Sequence, residues 1–182
     1  MSSGVEFDNG RARLPTDQVG SVLIVRAGGL IAALPVGSVM ETMRPLPVAR
    51  LSGVPAFVAG SAVVRGEVAP VVDLAALLTG RPLSATSRWV CVVAANRRIA
   101  VGVDAVESVS RLPAETLEAL PGLLEGAAAG AVERLAAHDT DLLVLLRLSK
   151  LIPPEVWGAL GSSGEGAHEG PPPAAAPEAP EQ

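Results

Sequence analysis

The stretch Gly60-Ser61-Ala62-Val63-Val64-Arg65-Gly66-Glu67-Val68-Ala69-Pro70-Val71-Val72-Asp73-Leu74 decides how this chain is read. An apolar run leads to Arg65-Gly66, a second apolar run follows, and Asp73 opens a leucine-rich segment. Two apolar runs about a glycine-containing dipeptide read as a β-hairpin, because glycine enters turn conformations without steric cost. Gly60 and Gly66 read as backbone devices, each explained by a positive φ or by close approach of another strand. Asp73 stands where its carboxylate satisfies free N–H groups at the start of a short helix, Leu74 to Leu78, which Gly80 and Pro82 stop. Neither nucleophile nor metal ligand nor phosphate loop accompanies the hairpin, so the stretch reads as a docking surface and not as a catalytic centre.

The same grammar recurs on both sides. Val22 to Val25, a turn at Ala27-Gly28-Gly29, and Leu30 to Leu34 form a hairpin pattern, and so do Val90 to Val93, Ala95-Asn96-Arg97, and Ile99 to Val101. Val39 to Arg44 alternates as a strand with one buried face, and Val106 to Arg111 resembles it. Asp141 to Leu148 resembles Glu67 to Leu74, at an offset of about 70 residues. Thr116 to Ala137 has helical propensity, but Pro121, Gly122, Gly126 and Gly130 interrupt it, and the repeat predicts a strand over Ala131 to Ala136. We therefore expect an all-β fold of two similar small β-units, each closed into a barrel, since closure hides sheet edges. The expected division is a flexible arm at 1–19, a folded region at 20–158 with halves at about 20–85 and 86–152, and a disordered Pro/Ala/Gly-rich tail at 159–182. The tail reads as a spacer or as a weak proline-rich ligand.

Composition narrows the function. A net charge of −5, with 14 Lys and Arg scattered along the chain, argues against nucleic acid. Arg97-Arg98, the densest basic pair, falls at a hairpin turn and reads as solvated. Charged residues make up 18%, below the roughly 25% usual in soluble domains, which hints at apolar surface kept for partners. The single Cys91 lies in a valine-rich run, forms no intrachain disulfide and reads as a buried, inert thiol. The first residues lack a basic segment followed by an apolar one, and no apolar run reaches the roughly 20 residues of a membrane helix, so a cytoplasmic protein is expected. His138 beside Asp139 and Asp141 is thin support for a metal, and no metal or other cofactor is expected.

At this point the chain resembles the CheW family, coupling proteins of bacterial chemosensory systems. The family signature runs close to Gly-x-x-Asn-Leu-Arg-Gly-x-x-x-Pro-Val-x-Asp-Leu; Gly60, Arg65, Gly66, Pro70, Val71, Asp73 and Leu74 match it. Glu41 and the run Val101-Gly102-Val103-Asp104-Ala105-Val106 are secondary matches, and the resemblance covers about residues 20 to 155. It implies two SH3-like five-stranded barrels sharing a groove, no catalysis, and partners in a methyl-accepting chemoreceptor and a CheA-type histidine kinase. It also implies that Glu41 and Arg65 pair near the receptor-contacting surface, where the residue-level alternative is an ordinary exposed salt bridge. The departures are Val63-Val64 for Asn-Leu, and Arg147 where Asp is frequent.

Val39, Met43, Val63 and Val64 are candidates for an apolar docking groove, though an alternating strand buries one face and not all four can be core. Asp104 is read as bracing a turn, and Trp157, after Pro153-Pro154, as lying on a terminal helix docked against a barrel. Three readings remain open: an adaptor joining receptor and kinase, a divergent member holding one partner, and a barrel that senses a small molecule. An enzyme is the weakest option.

Overall fold

Backbone conformation at three dipeptides sets the strand pairing. Gly28-Gly29 (φ 60° and 84°), Arg65-Gly66 (50° and 80°) and Ala95-Asn96 (48° and 61°) all have positive φ at both turn residues. That geometry matches the right-handed twist of the flanking strands and closes two-residue hairpins. In the computed structural model, which describes residues 18–83, 86–118, 130–138 and 141–163, these turns join β1 (Gln18–Ala27) to β2 (Leu30–Pro35), β4 (Val58–Val64) to β5 (Glu67–Asp73), and β6 (Arg88–Ala94) to β7 (Arg97–Val103). The remaining strands are β3 (Val39–Met43), β8 (Ala105–Pro113), β9 (Leu117–Glu118), β10 (Val132–His138) and β11 (Asp141–Leu146). Two α-helices, α1 (Leu74–Thr79) and α2 (Pro154–Ser163), and three short 3-10 turns, Val36–Ser38, Ala114–Thr116 and Leu148–Lys150, accompany the strands.

The strands form a six-stranded sheet, β8-β1-β2-β11-β10-β9, and a five-stranded sheet, β3-β6-β7-β5-β4. The pairing is antiparallel except where β2 meets β11 and β5 meets β7. This corrects the expectation of two closed five-stranded barrels: the sheets differ in size, and among the described residues no ladder joins the first strand of either sheet to its last. Nor do the sheets follow the two repeats along the chain. The hairpin β1–β2 lies beside β8, β10 and β11, while β6–β7 lies beside β3, β4 and β5. Each repeat donates its first hairpin to the sheet of the other.

Why the strands read as unbroken apolar runs is now clear. In β6, Trp89 and Cys91 face one cluster while Val90 and Val92 face another; in β1, Val22 and Ile24 face one cluster and Leu23 and Val25 another. Side chains alternate across a strand, and here both faces meet hydrophobic surroundings. The large central core lies between the sheets and takes Val25 and Leu34 from one, Val72, Val90 and Val101 from the other, and Leu74 and Leu77 from α1. Each sheet also has a small core on its opposite face: Val22, Ile24, Leu143 and Leu145 in the six-stranded sheet, and Val64, Val71, Trp89 and Ala100 in the five-stranded one.

Asp73 caps α1 as expected, its carboxylate accepting from the N–H of Ala76 at 3.0 Å. Its other oxygen accepts from the N–H of Leu83 at 2.8 Å, so one side chain starts the helix and fixes the chain beyond it. The second repeat keeps the backbone arrangement: Asp73 N–H donates to Phe57 O at 2.8 Å, and Arg147 N–H to Ala131 O at 2.7 Å. Arg147 has no oxygen to cap with, and a three-residue 3-10 turn, Leu148–Lys150, takes the place of the α-helix. Asp73→Ala is expected to destabilise the fold by about 1–2 kcal/mol, read as a lowered urea midpoint at unchanged slope.

The repeat, not the helical propensity, describes 132–136, where β10 forms, while Ala131 is helical; residues 119–129 lie outside the described set. Asp104 braces the first hairpin, accepting from the Gly28 N–H at 2.8 Å where the chain passes from one sheet to the other. Trp157 sits on α2 against the central core. The arm at 1–17 and the tail beyond 163 lie outside the described residues; β1 begins at Gln18, and α2 runs to Ser163, past residue 159.

Candidate functional site

The five-stranded sheet has β3 at one edge and β4 at the other, and Glu41 lies on the first while Arg65 turns the second. A β-bulge sets the aim of Glu41. Val39 is paired with Val92 but Glu41 with Cys91, so the register slips at Met40. Val39 consequently packs on the central core, whereas Met43 packs on the small core with Trp89 and Cys91. A bulge re-aims side chains in this way without ending the strand.

The sheet curls around its small core until its two edges meet. There the Arg65 guanidinium forms a two-pronged pair with Glu41, Nε to Oε1 at 2.5 Å and Nη2 to Oε2 at 2.7 Å. The fork geometry matches a planar guanidinium to a carboxylate and fixes both side chains in one orientation. The bonds from Arg65 hold the Glu41 carboxyl below its ordinary range, with its own burial opposing and the charge of Arg98 helping. Glu41 is therefore an anion throughout the neutral range. The Arg65 side chain remains 68% exposed and that of Glu41 23% exposed, so the fork presents mainly its cationic side to solvent.

A second ion pair lies alongside. Arg98 Nε meets Glu67 Oε2 at 3.0 Å, and Arg98 Nη1 donates to the Val64 carbonyl at 3.4 Å. Arg98 is thus engaged and not simply solvated, and Arg97 stacks on the Trp157 ring at 4.6 Å. Neither role was visible in the sequence, because Arg98 meets Glu67 only through the exchange of hairpins. The equivalents of Glu41 and Arg65 in the second repeat are Ser108 and Asp139, which cannot form such a fork. Among the described residues the six-stranded sheet carries a single-contact pair instead, Arg26 Nε to Glu107 Oε1 at 2.7 Å.

The apolar candidates separate cleanly. Val63 is 60% exposed and lies opposite Val68, which is 57% exposed. Val64 is a correction: at 1% exposure it belongs to the small core and offers no surface. Val39 and Met43 are half-buried against the central and small cores respectively. Beside Val63 and Val68 lies a groove of about 600 Å³, walled by Val48, Ala49 and Leu51 of the loop after β3 and by Leu160 of α2. The run of prolines in that loop signals broken structure, but nothing in it signals a groove. Cys91 is buried beneath the fork, its thiol pushed up first by burial and then by the Glu41 charge, and is inert.

The two signature glycines differ in role. Gly66 supplies a positive φ in open space. Gly60 has φ 143°, and a Cβ there would lie 2.2 Å from the Ala49 carbonyl oxygen. The loop after β3 crosses at this point and bonds to β4 through Ala49 and Ser61, both bonds 2.8 Å. It covers an edge that would otherwise be open to pairing. Pro70 sits just ahead of the β5–β7 ladder, which begins at Val71, so its missing N–H costs no bond on that side.

Comparison with known proteins gives a consistent result. A family model described as the CheW-like domain matches residues 21–155. A probable chemotaxis protein CheW from Rhizobium etli is 32% identical over 116 residues, which is 63% of this chain and 75% of that protein. The crystal structure of the scaffolding protein TtCheW from Thermoanaerobacter tengcongensis superposes with a TM-score of 0.62 at 21% identity, covering 72% of this chain and 91% of that one; it is similar in fold. No helix among the described residues is long and apolar enough to cross a membrane.

Proposed function

The chain belongs to the CheW-like domain family, whose members are non-catalytic scaffolds, and from that premise we propose that it couples a methyl-accepting chemoreceptor to a CheA-type histidine kinase. The observation that carries the reading is the Glu41–Arg65 fork, a pre-ordered, charge-bearing patch at the meeting edges of one sheet. An ordered guanidinium offers a partner's carboxylate or carbonyls directional donors with little side-chain entropy left to lose. Signal transfer requires that these contacts differ between receptor states, since equal contact in both states shifts no equilibrium. The protein then works on the cytoplasmic side, recruited to receptor arrays.

A test mixes the purified chain with a receptor signalling fragment and the kinase regulatory domain, separately and together. Both binary complexes and a ternary complex are expected. Arg65→Ala is expected to weaken receptor binding about tenfold or more while leaving the thermal midpoint within a degree or so, because an exposed pair contributes little to stability. Unchanged receptor affinity in Arg65→Ala would remove the fork from the interface, and failure to bind either partner would remove the reading.

A second reading, a member that holds one partner only, is favoured by Val63. The signature asparagine position is an exposed valine here, which gives up an amide donor and acceptor. Separate isotherms for receptor and kinase decide between the two.

A further inference from the structure

We propose that the groove beside Val63 and Val68 is a docking site for this chain's own C-terminal segment, residues 164–182, bound in an extended polyproline conformation. Three observations lead there. The groove is apolar and open: Val48, Leu51, Val63 and Val68 line it, with Arg50 at its rim. Leu160, on the last turns of α2, forms one wall, and α2 runs to Ser163, so the segment from 164 follows the groove wall by only a few residues of chain. The charges are complementary: the loop 44–57 contains Arg44 and Arg50 and no acidic residue, whereas 164–182 contains Glu165, Glu169, Glu178 and Glu181 and no Lys or Arg.

The segment suits the site chemically. Pro171 to Pro180 holds five prolines and four alanines, a composition preset to polyproline geometry that docks in apolar grooves at low entropic cost. The residues from 164 to 171 reach at most ~26 Å from α2 at about 3.3 Å each. A tether this short places the ligand at roughly millimolar effective concentration, so weak contacts suffice for occupancy. Docking covers Val63 and sets this segment in competition with any protein that uses the same face, an inference that goes beyond the adaptor reading and stands without it.

The test uses the full chain with Ala175→Cys carrying a nitroxide label; buried Cys91 does not compete for the reagent. Methyl NMR is expected to show that Val48, Val63, Val68 and Leu160 lose most of their intensity, while Val109 and Leu142, exposed on the other sheet, keep theirs. Val63→Asp, at an exposed position, and Arg50→Glu are each expected to restore the groove signals, as is high salt. Uniform attenuation, or none, overturns the proposal. Attenuation that appears only between separately labelled copies assigns the groove to a second molecule and overturns it equally.

Discussion

Gly60→Ala is expected to destabilise the protein by about 4 kcal/mol or more, enough to leave a large unfolded fraction in a domain of ordinary stability. A Cβ at residue 60 would stand 2.2 Å from Ala49 O and 2.7 Å from Val48 Cγ1. The first obstacle is backbone, held by two hydrogen bonds between Ala49 and Ser61. Relief requires breaking that bridge or moving β4, which carries Val64 into the small core. The φ of 143° adds its own strain for any residue with a Cβ. Gly66→Ala separates the two causes: φ there is 80°, nothing lies within 4 Å of the added carbon, and about 1 kcal/mol is expected. Urea denaturation of both variants gives the comparison. A Gly60→Ala cost equal to that of Gly66→Ala would mean that the loop after β3 is not seated on β4.

Trp89→Ala is expected to cost about 3–5 kcal/mol, the largest effect among core truncations. Trp89 is 2% exposed and is the largest buried side chain of the small core inside the curl of the five-stranded sheet. Its neighbours there include Ala62, Ala69 and Ala100, which cannot swing in to fill the void, and the paired Met43 fills only part of it. The damage extends to the fork. Glu41 and Arg65 meet because the sheet wraps around this tryptophan, so hollowing the core relaxes the approach of the two edges. Guanidinium denaturation followed by far-UV circular dichroism checks the stability, since the variant keeps only Trp157 as an indole probe. Arg65 side-chain Nε–H protection checks the fork. A stable Trp89→Ala with an intact fork would show that the curl is set by the backbone alone.

Which parts of this structure are legible in the sequence follows from how far each signal reaches. The three turns are legible because Gly28-Gly29, Arg65-Gly66 and Ala95-Asn96 meet a local backbone demand, and the cap at Asp73 is legible for the same reason. The strand at Val132–His138 is legible only through the repeat, since its composition favours helix. Sheet membership is not legible. A strand buried on both faces shows no alternation, so the run Leu30 to Leu34 gives no sign that it lies beside β11 and not beside β3. The separation of Val63 from Val64 needed the burial of one face, and the Arg98–Glu67 pair needed the topology. Glu41 and Arg65 are far apart in sequence; only the family resemblance placed them together, and the bulge at Met40 explains how.

The exchange of hairpins between repeats has a consequence for the origin of the chain. One repeat made alone would present a hairpin with no sheet to join and a sheet lacking its centre. Two such molecules trading hairpins about a two-fold axis would satisfy each other, and a gene duplication joining them end to end would reproduce the present topology in a single polypeptide. Because each half depends on the hairpin of the other, cutting this protein between residues 85 and 86 should give fragments that are soluble only when expressed together.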